Sequence, residues 1–175
     1  MEPRVRDAVP SDAGEIGAVA SAAWQETYAA LLRTSTVRAF VEAAYSMEAL
    51  ERRIARDTFL VVEEGGRIVA FANAVIGEDA VNLAAIYALP SKRGHGVGTM
   101  LLTAVRSRYP AFPIAADVLT GNRKGEVFYE RHGFVPREIL HSELFGEAVI
   151  ERRWWLGTPP PETSHADGSR DVPER

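Results

Sequence analysis

No cysteine occurs in this chain, which excludes disulfides, thiolate metal sites and a covalent cysteine acyl-enzyme. Lysine is nearly missing as well: only Lys92 and Lys124 are present, and arginine supplies the other basic residues. No apolar run approaches the ~18 residues that a membrane helix needs, so a membrane is not an expected partner. The amino-terminal stretch MEPRVRDAVPSDAGE has no apolar segment behind its basic residues, nothing there reads as a secretory signal, and the expected address is cytoplasmic. A strongly basic balance is absent too. The formal charge of −4 gives no general attraction to phosphate backbones, which argues against nucleic acid and favours neutral or cationic partners. His95, His132, His141 and His165 show no zinc-ligand spacing, so no metal is expected.

What is there suits one packed domain. With 175 residues, 46% of them hydrophobic and 25% charged, the composition is that of an ordinary soluble protein. A chain of this size can remove about 70% of its extended surface from water. Arg4 to Ala8 reads as a short strand. Pro10-Ser11-Asp12 then opens a helix to about Leu32, with Asp12 as its cap and Glu15 reaching back. Ile16, Val19, Ala20, Ala23, Trp24, Tyr28 and Leu31 form one buried stripe on it. Val37, Phe40, Val41, Ala44 and Tyr45 repeat that spacing, and Ser46 starts a further segment with Met47, Leu50 and Ile54.

The pattern changes at Thr58. Phe59 to Val62 and Ile68 to Ile76 are β-rich runs joined across Gly65-Gly66, a hairpin signal, and Val81 to Ala88 is a third run after the Gly77-Glu78-Asp79 turn. Three consecutive antiparallel strands are expected. A helix from Gly98 to Tyr109, a strand from Ile114 to Leu119 and a helix capped by Asn122 follow, and Phe134 to Leu140 and Ala148 to Leu156 close the domain as a strand pair. From Gly157 to Arg175 the composition is polar and rich in Pro, Glu and Ser, which reads as a flexible tail behind a single domain of residues 1–156.

The most informative segment is Ile86-Tyr87-Ala88-Leu89-Pro90-Ser91-Lys92-Arg93-Gly94-His95-Gly96-Val97-Gly98, a strand, a glycine-rich turn and a helix start. Three alternating glycines keep side chains away from a bulky anion, and the helix points unpaired N–H groups and its positive dipole end at the same space. Arg93 adds a charged donor at the rim and Thr99 a hydroxyl from the first turn. A dinucleotide-binding loop fails at its third glycine, where Thr99 stands, and a hairpin precedes the segment instead of alternating strands and helices. The plain alternative is a turn whose glycines only ease the bend.

Arg93-Gly94-His95-Gly96-Val97-Gly98 resembles the Arg/Gln-x-x-Gly-x-Gly/Ala signature of the GNAT N-acetyltransferase superfamily. Asn122-Arg123-Lys124-Gly125-Glu126-Val127-Phe128-Tyr129-Glu130-Arg131-His132-Gly133-Phe134 is similar to that family's later Asn-x-x-Ala-x-x-Phe-Tyr-Glu-Lys-x-Gly-Phe segment. The order of elements agrees over about residues 3–156. The resemblance implies a mixed α/β fold: a central, mostly antiparallel twisted sheet, splayed between strands 4 and 5 and flanked by helices. It implies acetyl-coenzyme A as cosubstrate, its pantetheine arm along the backbone of Ile86, Tyr87 and Ala88. Its pyrophosphate would lie on Arg93, Gly94, His95, Gly96, Val97, Gly98 and Thr99, with Asn122 touching the coenzyme. Tyr129 matches the family tyrosine that protonates the departing thiolate. Trp24, Glu26 and Tyr28 lie on the helix that borders the acceptor site in the family, with Glu26 placed to attract a cation and the two rings to cover it or to serve as core. Gly125 replaces the family alanine. The resemblance leaves room for a homodimer.

The implied reaction is transfer of the acetyl group to a primary amine of a small molecule, by direct attack in a ternary complex. An alkylamine of pKa near 10 is neutral in only about one molecule in a few thousand at neutral pH, so a proton acceptor is needed. The position that aligns with the family's strand glutamate is Asn82, which cannot serve. Glu26, Glu78, Asp79, Asp117 and Glu143 are the other carboxylates considered, each with a plain surface role as its alternative, and a water chain to backbone carbonyls is another route. Two other functions stay open: acetylation of peptide amino termini, and a non-catalytic acyl-coenzyme A sensor. Gly96→Val is expected to abolish acetyl-coenzyme A binding in calorimetry by placing a branched side chain in the anion cradle, whereas Arg93→Ala, a screened rim charge, weakens it less. Equal affinity of a folded Gly96→Val variant would remove the site.

Overall fold

The fold is organised by two changes of direction that elementary turn chemistry dictates. Gly65 and Gly66 both adopt positive φ (+61° and +76°), the geometry a two-residue hairpin turn requires, and join strands Thr58–Glu64 (β2) and Arg67–Ile76 (β3). Gly94 and Gly96 (+77° and +81°) turn the chain from strand Val81–Ala88 (β4) into helix Val97–Arg108 (α4). The computed structural model describes residues 2–161. Around these turns it places strand Arg4–Asp7 (β1), helices Ala13–Tyr28 (α1), Thr34–Tyr45 (α2) and Met47–Arg56 (α3), then strand Ile114–Leu119 (β5), helix Arg123–Arg131 (α5) and strands Val135–Leu144 (β6) and Glu147–Leu156 (β7). The sheet order is β1-β2-β3-β4-β5-β7-β6, and every neighbouring pair is antiparallel except β4 and β5.

Each face of the sheet buries its own core. Ile16, Val19, Trp24 and Tyr28 of α1 and Leu50 of α3 pack with Phe59, Val61, Phe71, Ala85, Leu119 and Val149 on one side. Leu101, Leu102 and Val105 of α4 and Tyr129 of α5 pack with Leu60, Val62, Leu83, Ile114 and Val118 on the other. The mixed α/β fold with a splayed, mostly antiparallel sheet is therefore as expected. Among the described residues no helix is long and apolar enough to cross a membrane.

Several local expectations change. The first helix ends at Tyr28, not near Leu32, because the chain turns there and sends Leu32 inward while Leu31 is exposed. Asp12 does not cap α1; its carboxylate takes the Val9 N–H at 2.8 Å and a bidentate pair from Arg6, while Glu15 accepts from the Ile68 N–H at 2.9 Å. Met47 opens α3 but is exposed, and Ser46 caps that helix by accepting from the Ala49 N–H. The last two strands extend further than expected and meet at a two-residue turn, Phe145-Gly146. Phe145 sits at φ +47°, which costs a non-glycine residue about 1–2 kcal/mol; its ring meets Phe40 edge-on at 6.5 Å. The composition there carries no Asn-Gly or Asp-Gly signal. Residues 162–175, and with them His165 and most of the expected tail, lie outside the described residues.

One polar cluster ties the helical layer to the sheet. Asn73, 1% exposed on β3, accepts from Arg53 Nε and Nη2 at 3.2 and 2.8 Å and donates to Asp57 Oδ2 at 3.3 Å. Arg53 also donates to the Ala44 carbonyl at 2.8 Å and lies over the Tyr45 and Phe59 rings. Removing the amide strands a guanidinium donor pair inside the protein. Asn73→Ala should therefore lower stability by about 2 kcal/mol, read as a shifted urea midpoint at unchanged slope; an unshifted midpoint would show that water replaces the amide.

Candidate active site

β4 and β5 are held together at only two positions, Val81 with Ile114 and Asn82 with Ala115. Beyond them β4 remains paired to β3 as far as Ala88 and β5 to β7 as far as Leu119, so the two strands diverge and leave a gap whose walls are strand edges. The cause lies in β4 itself. Its register against β3 steps from Leu83 opposite Ala74 to Ala85 opposite Asn73, leaving Ala84 as an extra residue. Such a bulge bends and twists the strand. It also switches faces: Val81 and Leu83 join the core under α4, whereas Ala85 and Tyr87 join the core under α1. Between β3 and the gap, Ile86, Tyr87 and Ala88 carry backbone groups that no second strand takes.

The mouth of the gap meets the glycine turn. Gly94 and Gly96 have positive φ, and a Cβ built on either meets nothing within 4 Å, so the space over the backbone is open. Gly96 caps α4 without a side chain, which leaves the first-turn N–H groups uncovered by a cap. This cradle fits a phosphate group. Gly98 has another reason to be glycine, since a Cβ there would lie 3.0 Å from Phe128 Cε2: its bareness lets α4 and α5 touch. Val97 is buried in the α4 core and offers only its backbone. His95 Nδ1 lies 3.0 Å from the Arg93 carbonyl and braces the loop.

Two side chains expected to face the anion turn elsewhere. Arg93 folds onto α1, donating to Thr27 Oγ1 at 2.9 Å and the Ala23 carbonyl at 3.4 Å and pairing with Glu26. The Thr99 hydroxyl lies 2.9 Å from His132 Nε2, whose Nδ1 is 2.7 Å from the Phe128 carbonyl. The carbonyl assigns the ring proton to Nδ1, so Nε2 accepts from Thr99. Glu26 is likewise not an open lure for a cation: Lys124 Nζ lies 2.7 Å from Oε1, and that bond together with the Arg93 charge holds its carboxyl below the usual range. Asn82 sits at the closed end of the gap, exposed, in an open cleft of about 290 Å³ with Arg153 and Trp155. At about 3.3 Å per residue it lies about 16 Å from Tyr87 and does not join the other site residues.

At the open end several polar groups converge. The Tyr28 hydroxyl, from the end of α1, lies 3.3 Å from the Tyr87 hydroxyl and 3.5 Å from Asn122 Nδ2. Asn122 Oδ1 accepts from the Gly125 N–H at 3.0 Å and caps α5 as expected. Burial raises the phenols of Tyr28 and Tyr87 above their ordinary value. Tyr129, at 7% exposure, is raised for the same reason, with the charges of Tyr28 and Asp117 adding to it. Tyr28 belongs to one core and Tyr129 to the other. Trp24 is packed rather than open, stacked on Phe40 at 4.0 Å and tilted on Tyr28 at 4.3 Å. The sequence reading missed Glu151. It lies on β7 opposite Leu119, half-buried, accepting from Ser142 Oγ at 2.9 Å. The signal was available: Val149, Glu151 and Arg153 alternate onto one strand face, where a core strand would carry apolar residues.

A family model for the acetyltransferase (GNAT) domain matches residues 55–136, which run from the end of α3 into β6 and hold the glycine turn, both gap strands and α5. That stretch is similar to a GNAT acetyltransferase domain. No curated protein matches the chain. Among solved structures, the PaiA N-acetyltransferase of Thermoplasma acidophilum in complex with coenzyme A is 21% identical, with a TM-score of 0.74 over 87% of this chain and 98% of that one. A GCN5-related N-acetyltransferase of Rhodopseudomonas palustris is 21% identical, with a TM-score of 0.77 over 90% and 97%. An Escherichia coli ribosomal-protein alanine N-acetyltransferase is 14% identical, with a TM-score of 0.68 over 94% and 100%. At these identities the likeness is one of fold. Among the described residues no cluster of three or more His, Cys, Asp or Glu is placed to hold a metal ion.

Gly125 now has a local explanation. A Cβ there would lie 2.7 Å from Asn122 Nδ2 and 3.1 Å from Cγ, so glycine makes room for the cap side chain that reaches Tyr28. Replacement by alanine gains about 1 kcal/mol of helix propensity but displaces a cap worth about as much. Gly125→Ala should therefore leave the urea midpoint nearly unchanged; a gain of the full propensity term would show that the cap accommodates the methyl group.

Proposed function

We propose that this GNAT domain transfers the acetyl group of acetyl-coenzyme A to a primary amine of a small molecule, by direct attack with both substrates bound. The observation that carries this reading is the gap itself: two strand edges held apart beyond Asn82, with a glycine cradle in the turn that follows β4. The free backbone groups of Ile86 to Ala88 suit a pantetheine arm, which pairs like a strand. The N–H groups of the Gly94–Thr99 segment suit the pyrophosphate, and the coenzyme A bound to the Thermoplasma acidophilum relative supports that choice of ligand. Arg93 and Lys124, which share Glu26, are the cations suited to an incoming phosphate. Asn122, tied to both α5 and Tyr28, stands where the arm enters the gap.

Tyr129 is suited to giving a proton to the departing thiolate because burial keeps its phenol protonated through the neutral range. Backbone N–H groups along the β4 edge are placed to stabilise charge on the thioester oxygen. The small-amine choice rests on how the acceptor side is covered. The Arg33 N–H donates to Glu147 at 3.1 Å and its Nη2 to the Gly146 carbonyl at 3.0 Å, which clasps the α1–α2 connection to the β6–β7 turn. Behind that clasp lie Tyr28 and Tyr87, backed by the packed rings of Trp24, Phe40 and Tyr45, a setting suited to a compact acceptor with an apolar or cationic body.

Release of free coenzyme A thiol should depend on added small primary amines and rise from pH 6 toward pH 10 as they lose their protons. Selective turnover of peptide α-amines would transfer the reading to protein amino termini, and tight acetyl-coenzyme A binding without amine-dependent release would make the protein a sensor. Tyr129→Phe should lower kcat about 100-fold with little change in KM for acetyl-coenzyme A, the signature of an interaction made mainly in the transition state. An unchanged kcat, with chemistry shown to be rate-limiting, would reduce Tyr129 to packing.

A further inference from the structure

Amine acetylation needs a proton acceptor near the attacking nitrogen, and the strand position expected to supply one is Asn82, remote from the open end of the gap. The carboxylates considered from the sequence are also poorly placed. Glu26 is held by Lys124 and Arg93 at the outer entrance. Glu78 and Asp79 lie in the turn before β4, at the closed end. Glu143 alternates with Ser142 and so points to the other side of β6 from Glu151. Asp117 does share the α1-side face of the sheet, but Arg153 grips both its oxygens at 2.8 and 2.9 Å.

Glu151 stands apart from these. It is opposite Leu119, the last residue of β5, so it sits beside the open end of the gap. Its strand face is that of Val149, which joins Tyr28, Ala85 and Leu119 in the α1-side core. Its negative charge is felt at the Tyr28 phenol, one of the causes that raise that group. Ser142 holds one carboxylate oxygen and so fixes the side-chain direction. We infer that the Glu151 carboxylate accepts the proton of the acceptor amine, with Tyr28 and Tyr87 as the hydroxyl pair that orients the amine between Glu151 and the gap.

This rests on the acetyltransferase reading above. The protonated amine gives one proton to Glu151, and its freed lone pair forms the N–C bond to the acetyl carbonyl as the C–S bond breaks. The second proton lost from nitrogen balances the one that the thiolate takes from Tyr129, and Glu151 returns its own to water, so the sum is amide, free thiol and one proton. Among the described residues, Glu151 acts electrostatically on Tyr28 of α1 and on Arg153 of β7. Arg153 is paired to Asp117, and burial keeps the Tyr28 and Tyr87 phenols neutral in the working range.

The test compares wild type with Glu151→Gln, which keeps an oxygen for Ser142, using two acceptors: an alkylamine of pKa near 10 and a hydrazine or aromatic amine that is already neutral at pH 7. Glu151→Gln should lower kcat for the alkylamine about 100-fold and leave acetyl-coenzyme A affinity in calorimetry unchanged. Turnover of the already neutral amine should fall far less. A wild-type kcat in the variant, or an equal loss for both acceptors, overturns the assignment while leaving the acetyltransferase reading intact. If wild type itself releases no thiol with any amine, the acetyltransferase reading fails, and the assignment fails with it.

Discussion

Two backbone-paired positions hold β4 to β5, and the candidate site exists because there are no more than two. Parallel neighbours need a crossover, and here the crossover is the glycine turn and α4. The helix packs Leu101, Leu102 and Val105 under the paired part of the sheet, so its amino terminus is anchored at the end where the strands diverge. The bulge at Ala84 supplies the divergence by bending β4 and turning Tyr87 to the α1 side. The glycine turn, the free strand edges and the amino terminus of α4 thus meet at one end of the sheet.

The α1 side of the gap is organised by contacts between distant parts of the chain. Tyr28 reaches Tyr87 on β4 and Asn122 at the start of α5, and Glu26, near the carboxyl end of α1, links Arg93 and Lys124 across the entrance. The end of α1 therefore lies over the gap as a cover, tied on both sides. Further out, Arg33 joins the next connection to the β6–β7 turn. Most of these are polar contacts at part-exposed positions, individually worth about 1 kcal/mol or less, and their effect is to position groups rather than to hold the fold. The hydrophobic layers on either side of the sheet do that, with the Arg53–Asn73 cluster fixing the helices to β3.

Local chemistry was legible where it acts on neighbouring residues. The Gly65-Gly66 hairpin, the run from Val81 to Ala88, the strand from Ile114 to Leu119 and the Asn122 cap all follow from turn residues, β-branched runs and capping side chains that operate within a few positions. Misreadings came where a competing partner was far away in sequence. Asp12 and Glu15 form a plausible capping box on paper, but Arg6 and the Ile68 N–H claim them. The side-chain directions of Arg93 and Thr99 were likewise set from afar, by Thr27 of α1 and by His132. Gly98 looks like part of the cradle, and the reason for it lies in Phe128.

The amino-acid sequence by itself determined the order of strands and helices, the glycine turn before a helix, the placement of Tyr129 after it and the lack of thiol chemistry. These depend on residue type and short spacing, which a linear reading contains. Only the tertiary structure decided that the strands part beyond Asn82, that Asn82 lies at the closed end of the gap, that Glu26 is already paired and that Glu151 lies opposite Leu119, at the end of β5 where the gap opens. Those facts depend on register, on one bulged residue and on which strand lies next to β5, and pairing across more than thirty residues of chain leaves no periodic mark in the sequence.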